Sequence, residues 1–189
     1  MKLLHIDSSI TGENSASRAI SAAIVSALTA ADPAIEVTRR DLAADALPHL
    51  TLDVLGAPEG TPELAEFLAS DVIVIGAGMY NFTIPSQLKA WLDRVLIAGQ
   101  TFRYTETGPV GLVGDKKVIV ALARGGLYSE GNPSAAVEHA EKYLRDVLGF
   151  IGIDNPTFVI AEGLAFGPEA REKAVAQALA EAGTVAIPA

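Results

Sequence analysis

The feature that most constrains this fold is a β-branched run that leads through a glycine-containing loop directly into an amphipathic helix. Residues 72–75 read Val-Ile-Val-Ile, which is typical of a strand buried on both faces of a parallel sheet. Gly76 and Gly78 allow a sharp turn after it, and Pro85 suits a first helical position because its φ is already helical. The helix then carries an apolar stripe of Leu88, Trp91, Leu92, Val95 and Leu96, with Lys89, Asp93 and Arg94 expected on the solvent side.

The rest of the chain alternates between strand and helix patterns. Further strands are predicted at residues 3–7, 35–42, 116–123 and 157–161, and further helices around 20–28 and at 62–69, 132–148 and 168–182. This alternation predicts a parallel sheet with helices on both faces. The second strand alternates polar and apolar residues and the fifth opens with Pro156, so both are expected at sheet edges. The order 2-1-3-4-5 has these two strands at its edges, and it predicts a flavodoxin-like α/β sandwich of three layers whose ligand crevice lies between strands 1 and 3.

Two segments have no clear period. Residues 45–62 are expected to be irregular with a short helical turn, and residues 99–114 form a long connection between a helix and a strand. Phe102 and Tyr104 lie on that connection in a polar setting, where covering a ligand or a partner subunit is the alternative to simple core packing. No linker divides the chain, and residues 1–189 are interpreted as a single domain.

Composition excludes several classes of function. The net charge of −9, with no evident basic patch, argues against nucleic acid and anionic membranes as partners. The chain has no cysteine, which removes disulfides and thiolate catalysis. Its three histidines, His5, His49 and His139, are scattered, so no metal site is expected. No window is typical of a signal peptide or a membrane span, and the cytoplasm is the expected compartment.

Hydroxyl groups follow the first predicted strand. Ser8, Ser9, Ser15 and Ser17 precede a helix, where free backbone N–H groups and the positive end of the helix dipole favour a phosphate. The alternative is ordinary helix capping by one serine. Neither a Walker motif nor a complete dinucleotide fingerprint is present, because the Gly76-x-Gly78 pair lacks a third glycine.

Flat and polarisable residues follow the third strand. Residues 78–83 read Gly-Met-Tyr-Asn-Phe-Thr, a set that suits a planar heteroaromatic ring, with burial in the core as the alternative. After the fourth strand, Gly125 and Gly126 offer backbone N–H groups to a ring edge, with Arg124 nearby, although a simple strand-ending turn would have the same sequence. A phosphate site and a ring site at one sheet edge together predict flavin mononucleotide, FMN.

These segments carry a family resemblance. The motifs DSS at 7–9, SAS at 15–17, MYNF at 79–82, TFRYTETGPVGL at 101–112, RGG at 124–126 and LGFIG at 148–152 resemble the bacterial FMN-dependent NADH-azoreductase and NAD(P)H:quinone oxidoreductase family. The resemblance covers nearly the whole chain. It implies a homodimer that binds one FMN per subunit at the subunit interface and uses NADH or NADPH as electron donor.

The resemblance also assigns residues to the site. It implies that FMN is bound by Ser9, Ser15, Ala16, Ser17, Met79, Tyr80, Asn81, Phe82, Ala123, Arg124, Gly125 and Gly126. It places Phe82, Tyr104 and Phe150 near the substrate, together with Tyr128 where some members have a histidine. Ala123 replaces the usual serine before Arg-Gly-Gly, and the segment between the second and third strands is shorter than in familiar members. These departures bear on substrate preference.

The activity that the resemblance implies is the two-electron reduction of quinones and the cleavage of aromatic azo bonds in a ping-pong reaction. The flavin carries the chemistry, so no catalytic side chain is expected. One alternative is a flavodoxin-type carrier that passes single electrons to protein partners without oxidising NADH. Another is a flavin-free regulatory domain, which is disfavoured because the third strand ends in Gly76-Ala77-Gly78 and not in a phosphorylatable aspartate.

Overall fold

The computed structural model describes residues 1–56 and 60–186. Its strands are β1 (Lys2–Asp7), β2 (Glu36–Asp41), β3 (Val72–Gly78), β4 (Phe102–Thr105), β5 (Gly108–Gly111), β6 (Lys117–Ala123) and β7 (Thr157–Ala161). Five of them form a parallel sheet in the order β2-β1-β3-β6-β7. The predicted order 2-1-3-4-5 is therefore confirmed, and both predicted edge strands lie at edges.

Helices cover both faces of this sheet. They are α1 (Ala16–Ala31), α2 (Leu52–Leu55), α3 (Pro62–Ala69), α4 (Ser86–Val95), α5 (Ala140–Phe150) and α6 (Pro168–Ala182). Ile73 and Ile75 of β3 pack in one core with residues of α3, α4 and α5, whereas Val72 and Val74 pack in a second core with residues of α1 and α6. The continuous β-branched run is thus buried on both sides, as its sequence predicts.

The start and the polar face of α4 differ from the prediction. Pro85 is the residue before the helix and not its first residue. Arg94 was expected on the solvent side, which is wrong, because it is only 4% exposed. Its Nη1 donates to the carbonyl of Ala90 at 2.9 Å, and its Nε lies 3.9 Å from a carboxylate oxygen of Glu63. A guanidinium is tolerated inside a protein when acceptors of this kind surround it.

The long connection at 99–114 contains an antiparallel hairpin, formed by β4 and β5. Phe102 is buried and its ring lies 4.6 Å from that of Phe150, whereas Tyr104 is 74% exposed. Gly111 at the end of β5 lies against Gly152, just after α5, so closely that a Cβ on Gly111 would be 2.1 Å from the Gly152 nitrogen. Two glycines therefore fix the hairpin against the end of α5.

The helix predicted at 132–148 is interrupted. A 3₁₀ turn spans Pro133–Val137 and α5 begins only at Ala140. Between them, the Glu138 carboxylate accepts hydrogen bonds from the backbone N–H groups of Ala140 at 3.1 Å and Glu141 at 2.9 Å. The first N–H groups of α5 thus donate to a side chain and not to carbonyl groups of a preceding helical turn, so α5 begins here and does not continue from the 3₁₀ turn.

The irregular segment at 45–62 includes the expected short helical turn, α2. Residues 57–59 of that segment, and residues 187–189, lie outside the described part of the chain. Within the described ranges, no helix is both long enough and apolar enough to span a membrane.

Candidate functional site

The loops that follow β1, β3, β6 and β7 meet around a cleft of about 460 Å³. Its walls are formed by Ser9, Thr11, Asn14, Ser15, Ala16, Ser17, Gly78, Met79, Tyr80, Ala123, Gly125, Leu164, Ala165 and Arg171. The carboxyl ends of parallel strands share one sheet edge, which is why segments far apart in sequence converge here. The predicted hydroxyl, aromatic and glycine segments thus contribute to the same cleft.

One end of the cleft is the N-terminus of α1. Ser15 caps this helix by accepting a hydrogen bond from the Arg18 N–H at 3.2 Å, and its Oγ lies 3.1 Å from that of Ser17. The backbone N–H groups of Ala16 and Ser17 donate to no acceptor in the described residues. Free N–H groups, hydroxyls and the positive end of a helix dipole together favour an anion such as phosphate.

Arg18 stabilises the loop after β1, beside the N-terminus of α1. Its Nε and Nη2 donate to the carbonyl of Ser9 at 3.2 and 2.9 Å, and its guanidinium forms two hydrogen bonds of 2.7 Å with Asp41 at the end of β2. The hydrogen bonds from Arg18 lower the pKa of Asp41 to about 2. The charge of Arg18 is therefore matched by a carboxylate, and the residue supports the loop without offering a free charge.

This ion pair predicts a pH-dependent loss of stability. Asp41→Asn is expected to lower the free energy of unfolding at pH 7 by about 1 kcal/mol, a modest value because the pair is partly exposed to water. The folded-state pKa of Asp41 lies below its ordinary value of 3.8, so the contribution of the carboxylate is complete above about pH 4 and is lost toward pH 2. Urea unfolding of both proteins should show a difference that shrinks between pH 4 and pH 2.5, and a constant difference would contradict this assignment.

At the other end of the cleft, β3 leads into a strained turn. The backbone groups of Tyr80 and Thr83 exchange hydrogen bonds of 2.9 and 3.1 Å, which leaves Asn81 and Phe82 at the tip with φ of 47° and 73°. A positive φ is rare for an aromatic residue and costs roughly 1–3 kcal/mol, so it persists only where surrounding contacts hold it. Here the N–H of His139 donates to the Phe82 carbonyl at 2.9 Å. Met79 and Tyr80 line the cleft, whereas Asn81 and Phe82 are exposed.

Tyr80 connects the two ends of the cleft. Its hydroxyl lies 3.0 Å from the Ser9 Oγ and accepts from the Ile10 N–H at 3.3 Å. Its ring lies close enough to Gly78 that a Cβ there would be 3.3 Å away. The loops after β1 and β3 are therefore held together by one phenol group, which was not evident from the sequence.

The Arg124 side chain does not line the cleft, although its neighbours Ala123 and Gly125 do. It is only 1% exposed, and its Nη2 lies 2.6 Å from Glu141 in the first turn of α5 and 3.2 Å from Glu138 just before this helix. Its Nη1 lies 3.6 Å from Glu162, just after β7. In this geometry the guanidinium is matched by carboxylates and does not point into the cleft.

Glu162 extends this cluster to the glycine loop. Its carboxylate accepts hydrogen bonds from the N–H groups of Tyr128 at 2.9 Å and Ser129 at 3.1 Å. Burial opposes ionisation, but these hydrogen bonds and the nearby Arg124 lower the pKa of Glu162 overall. The carboxylate stays ionised at neutral pH and holds residues 124–129 in place.

The four predicted substrate residues form two separate aromatic groups in one chain. Phe82 and Tyr128 contact each other edge to face, with ring centroids 6.5 Å apart. Tyr104 and Phe150 both pack against Phe102, at 5.5 and 4.6 Å. Among the described residues, no aromatic contact joins the two groups.

Some cleft residues were not identified from the sequence. They are Thr11, Asn14, Leu164, Ala165 and Arg171. Leu164 and Ala165 follow β7, whose carboxyl end lies at the same sheet edge, so the predicted strand order could have included them. Arg171 carries a weaker signal, since it is a basic residue in the first turn of a helix, where the helix dipole favours acidic ones.

Comparison with known proteins agrees with this architecture. Residues 1–185 match a protein family described as having a flavodoxin-like fold, the class that the sheet and its cleft define. The chain is 55% identical over 198 residues to the FMN-dependent NADH:quinone oxidoreductase of Xanthomonas campestris, with 96% of this chain and 97% of the relative covered. The protein of the same name from Methylorubrum populi is 56% identical over 194 residues, with 95% and 96% covered. The chain therefore belongs to the family of FMN-dependent NADH:quinone oxidoreductases.

Solved structures are similar over the same length. An azoreductase from Bacillus anthracis superposes with a TM-score of 0.87 at 34% identity, and 97% of each chain is covered. An FMN-dependent NADH-azoreductase from the same species, solved in complex with FMN, gives a TM-score of 0.85 at 27% identity, with 96% of this chain and 95% of that chain covered.

Proposed function

We propose that this chain is a single flavodoxin-like domain that binds one FMN per subunit and reduces quinones by two electrons, with NADH or NADPH as the donor. The observation that carries the proposal is the cleft, because it joins an anion-binding end at Ala16 and Ser17 to an end lined by Met79 and Tyr80. The names of relatives more than half identical to this chain support it.

The residues present fit FMN. Unpaired N–H groups at the start of α1 provide donors for a phosphate, and the surrounding serines add hydroxyls. Among the residues that the structure describes, the cleft lining contains no carboxylate that would repel the phosphate. Met79 and Tyr80 offer apolar surface to a flat ring, and Gly125 leaves backbone uncovered beside it. In this proposal, Ser9, Ser15, Ala16 and Ser17 hold the phosphate, while the segments 79–82 and 123–126 surround the ring.

When bound, FMN supplies hydride transfer between a nicotinamide and a quinone or azo compound. The protein positions the reactants, so a general base is not required. The N-terminus of α1 fixes the phosphate, and the strained turn at Asn81 and Phe82 fixes the backbone at the other end. The proposed order is ping-pong, in which the oxidised nucleotide leaves before the second substrate enters, and cleavage of an azo bond takes two such cycles.

The aromatic groups support a homodimer with the site at its interface. Tyr104 is 74% exposed on the hairpin, although it packs against Phe102. Phe82 is 49% exposed beside the cleft. We place Tyr104 and Phe150 of one protomer near Phe82 and Tyr128 of the other, where together they would cover the substrate. The single-electron carrier is the less favoured function, because the similar relatives are named as oxidoreductases that use NADH.

The proposal is tested by the visible spectrum of the purified protein. We expect flavin absorption bands that bleach when NADH is added without oxygen, and that recover when a benzoquinone is then added. Bands that respond to dithionite but not to NADH would favour the carrier. A colourless protein that also fails to take up added FMN would exclude both functions.

A further inference from the structure

One charged residue lines the cleft among the described residues, and it is Arg171 on α6. Its Nη2 donates to the carbonyl of Asn14 at 2.5 Å, so the guanidinium lies beside the loop that enters α1. Asn14 directly precedes Ser15, the residue that caps α1. A positive charge is therefore held next to the N–H groups and hydroxyls at the anion-binding end of the cleft.

The remaining donors of Arg171 have no acceptor among the described residues. Within residues 1–56 and 60–186, Arg171 forms one hydrogen bond, and no carboxylate lies within salt-bridge distance of it. Arg18, which lies on the other side of the same loop, is instead fully engaged with Asp41 and Ser9. Of the two arginines at this loop, only Arg171 has charge and hydrogen-bond donors to offer to a ligand.

The place of Arg171 in its helix also needs an explanation. It is the fourth residue of α6, which begins at Pro168 after a glycine that provides no side-chain cap. A cation in the first turn is unfavourable beside the positive end of the helix dipole. Residues that depart from a local rule are expected at functional sites, where another interaction offsets the cost.

We propose that Arg171 binds the phosphate group of FMN and supplies the counter-charge in a cleft whose other described lining residues are uncharged. This inference rests on the proposed function and adds a residue from the last helix to the segments that hold the cofactor. Guanidinium and phosphate form short, charge-assisted hydrogen bonds, which favour this role for arginine. The net charge of −9 disfavours the approach of a phosphate dianion, and a cation at the anion-binding end of the cleft offsets part of that repulsion.

The test compares FMN with riboflavin, which has the same ring but no phosphate. Flavin-depleted full-length protein is titrated with each ligand, and quenching of flavin fluorescence gives the dissociation constant. We expect Arg171→Gln to weaken FMN binding roughly tenfold, the usual effect of losing one charge-assisted contact, and to leave riboflavin binding unchanged. Lys173→Gln is the matched control, because it removes one positive charge from the exposed side of the same helix.

Salt separates a charge effect from a loss of loop order. Arg171 also donates to the Asn14 carbonyl, so the alternative explanation for weaker binding is that its removal loosens the loop without any direct contact to phosphate. If Arg171 acts through its charge, FMN binding by the unmodified protein weakens with added salt more steeply than binding by Arg171→Gln. Arg171→Lys keeps the charge and is expected to retain most of this salt dependence.

Each outcome has one meaning. Equal salt dependence in the unmodified protein and Arg171→Gln would overturn the inference, as would equal weakening of FMN and riboflavin, or an effect no larger than that of Lys173→Gln. Those results would leave the proposed function intact, since the unmodified protein would still bind FMN. An unmodified protein that binds no FMN would contradict the proposed function and the inference with it.

Discussion

Replacing Arg124 with methionine is expected to lower the free energy of unfolding by about 3 kcal/mol at pH 7, because removal of one partner leaves buried charge uncompensated. Three carboxylates, on Glu138, Glu141 and Glu162, face this guanidinium. Without it three like charges face one another with no cation between them. Urea unfolding of both proteins at pH 7 measures the difference in the free energy of unfolding.

Arg145→Met is the matched control for this substitution. Arg145 also pairs with Glu141, at 2.8 Å, but its side chain is 48% exposed. Exposed ion pairs contribute little, so this change should cost under about 1 kcal/mol. If the two substitutions lowered the free energy of unfolding equally, the burial of Arg124 would not explain its contribution to stability. We also expect weaker FMN binding in Arg124→Met, because residues 124–129 lose their support beside the cleft.

Gly111→Ala is the second substitution with a large expected effect. The added Cβ would lie 2.1 Å from the nitrogen and 2.5 Å from the Cα of Gly152. Both contacts are with backbone, so the hairpin or the end of α5 must move, at an expected cost of about 3 kcal/mol. The melting temperature and the urea midpoint of the variant should both fall.

At a second glycine nearby, substitution by alanine is expected to stabilise the protein. Gly149 lies inside α5, and a Cβ there would meet only the Asp154 carboxylate, at 4.0 Å. Gly149→Ala should therefore stabilise the protein by about 0.5–1 kcal/mol through the higher helix propensity of alanine. If both alanine variants were destabilised alike, the close approach of Gly111 and Gly152 would not be the cause. The displaced hairpin of Gly111→Ala should also raise the KM for quinones, since it carries Tyr104.

The sheet and its order could be predicted because each strand carries a strong local pattern. The run Val72–Ile75 is apolar at every position, and the predicted bounds of β7 and α6, at 157–161 and 168–182, match the structure. The alternation of polar and apolar residues in β2 and the proline before β7 were sufficient to predict that these two strands lie at the sheet edges. The topology then brings the loops after β1, β3 and β6 to one cleft at the same sheet edge.

The remaining differences depend on contacts that no local pattern contains. The apolar spacing continues through both parts of the 132–148 segment, so it could not show that Glu138 caps a new helix. From its sequence pattern, Arg94 is expected at the surface. It is buried in the structure, where Glu63 of α3 lies near it. Arg124 follows a strand end that does reach the cleft, but its side chain turns to α5. Long-range partners decide each of these cases.

The two sheet edges have a consequence for self-association. An uncovered strand edge can template the addition of strands from another molecule, which leads to continuous intermolecular sheets. Here β2 presents a largely exposed Glu-Val-Thr-Arg-Arg-Asp sequence, and Pro156 before β7 has no N–H to donate. The charged residues of β2 disfavour the addition of a strand at one edge, and the missing N–H group of Pro156 disfavours it at the start of the other edge. In the homodimer proposed above, the two copies would therefore meet through helices and the exposed hairpin and not through the edges of the central sheet.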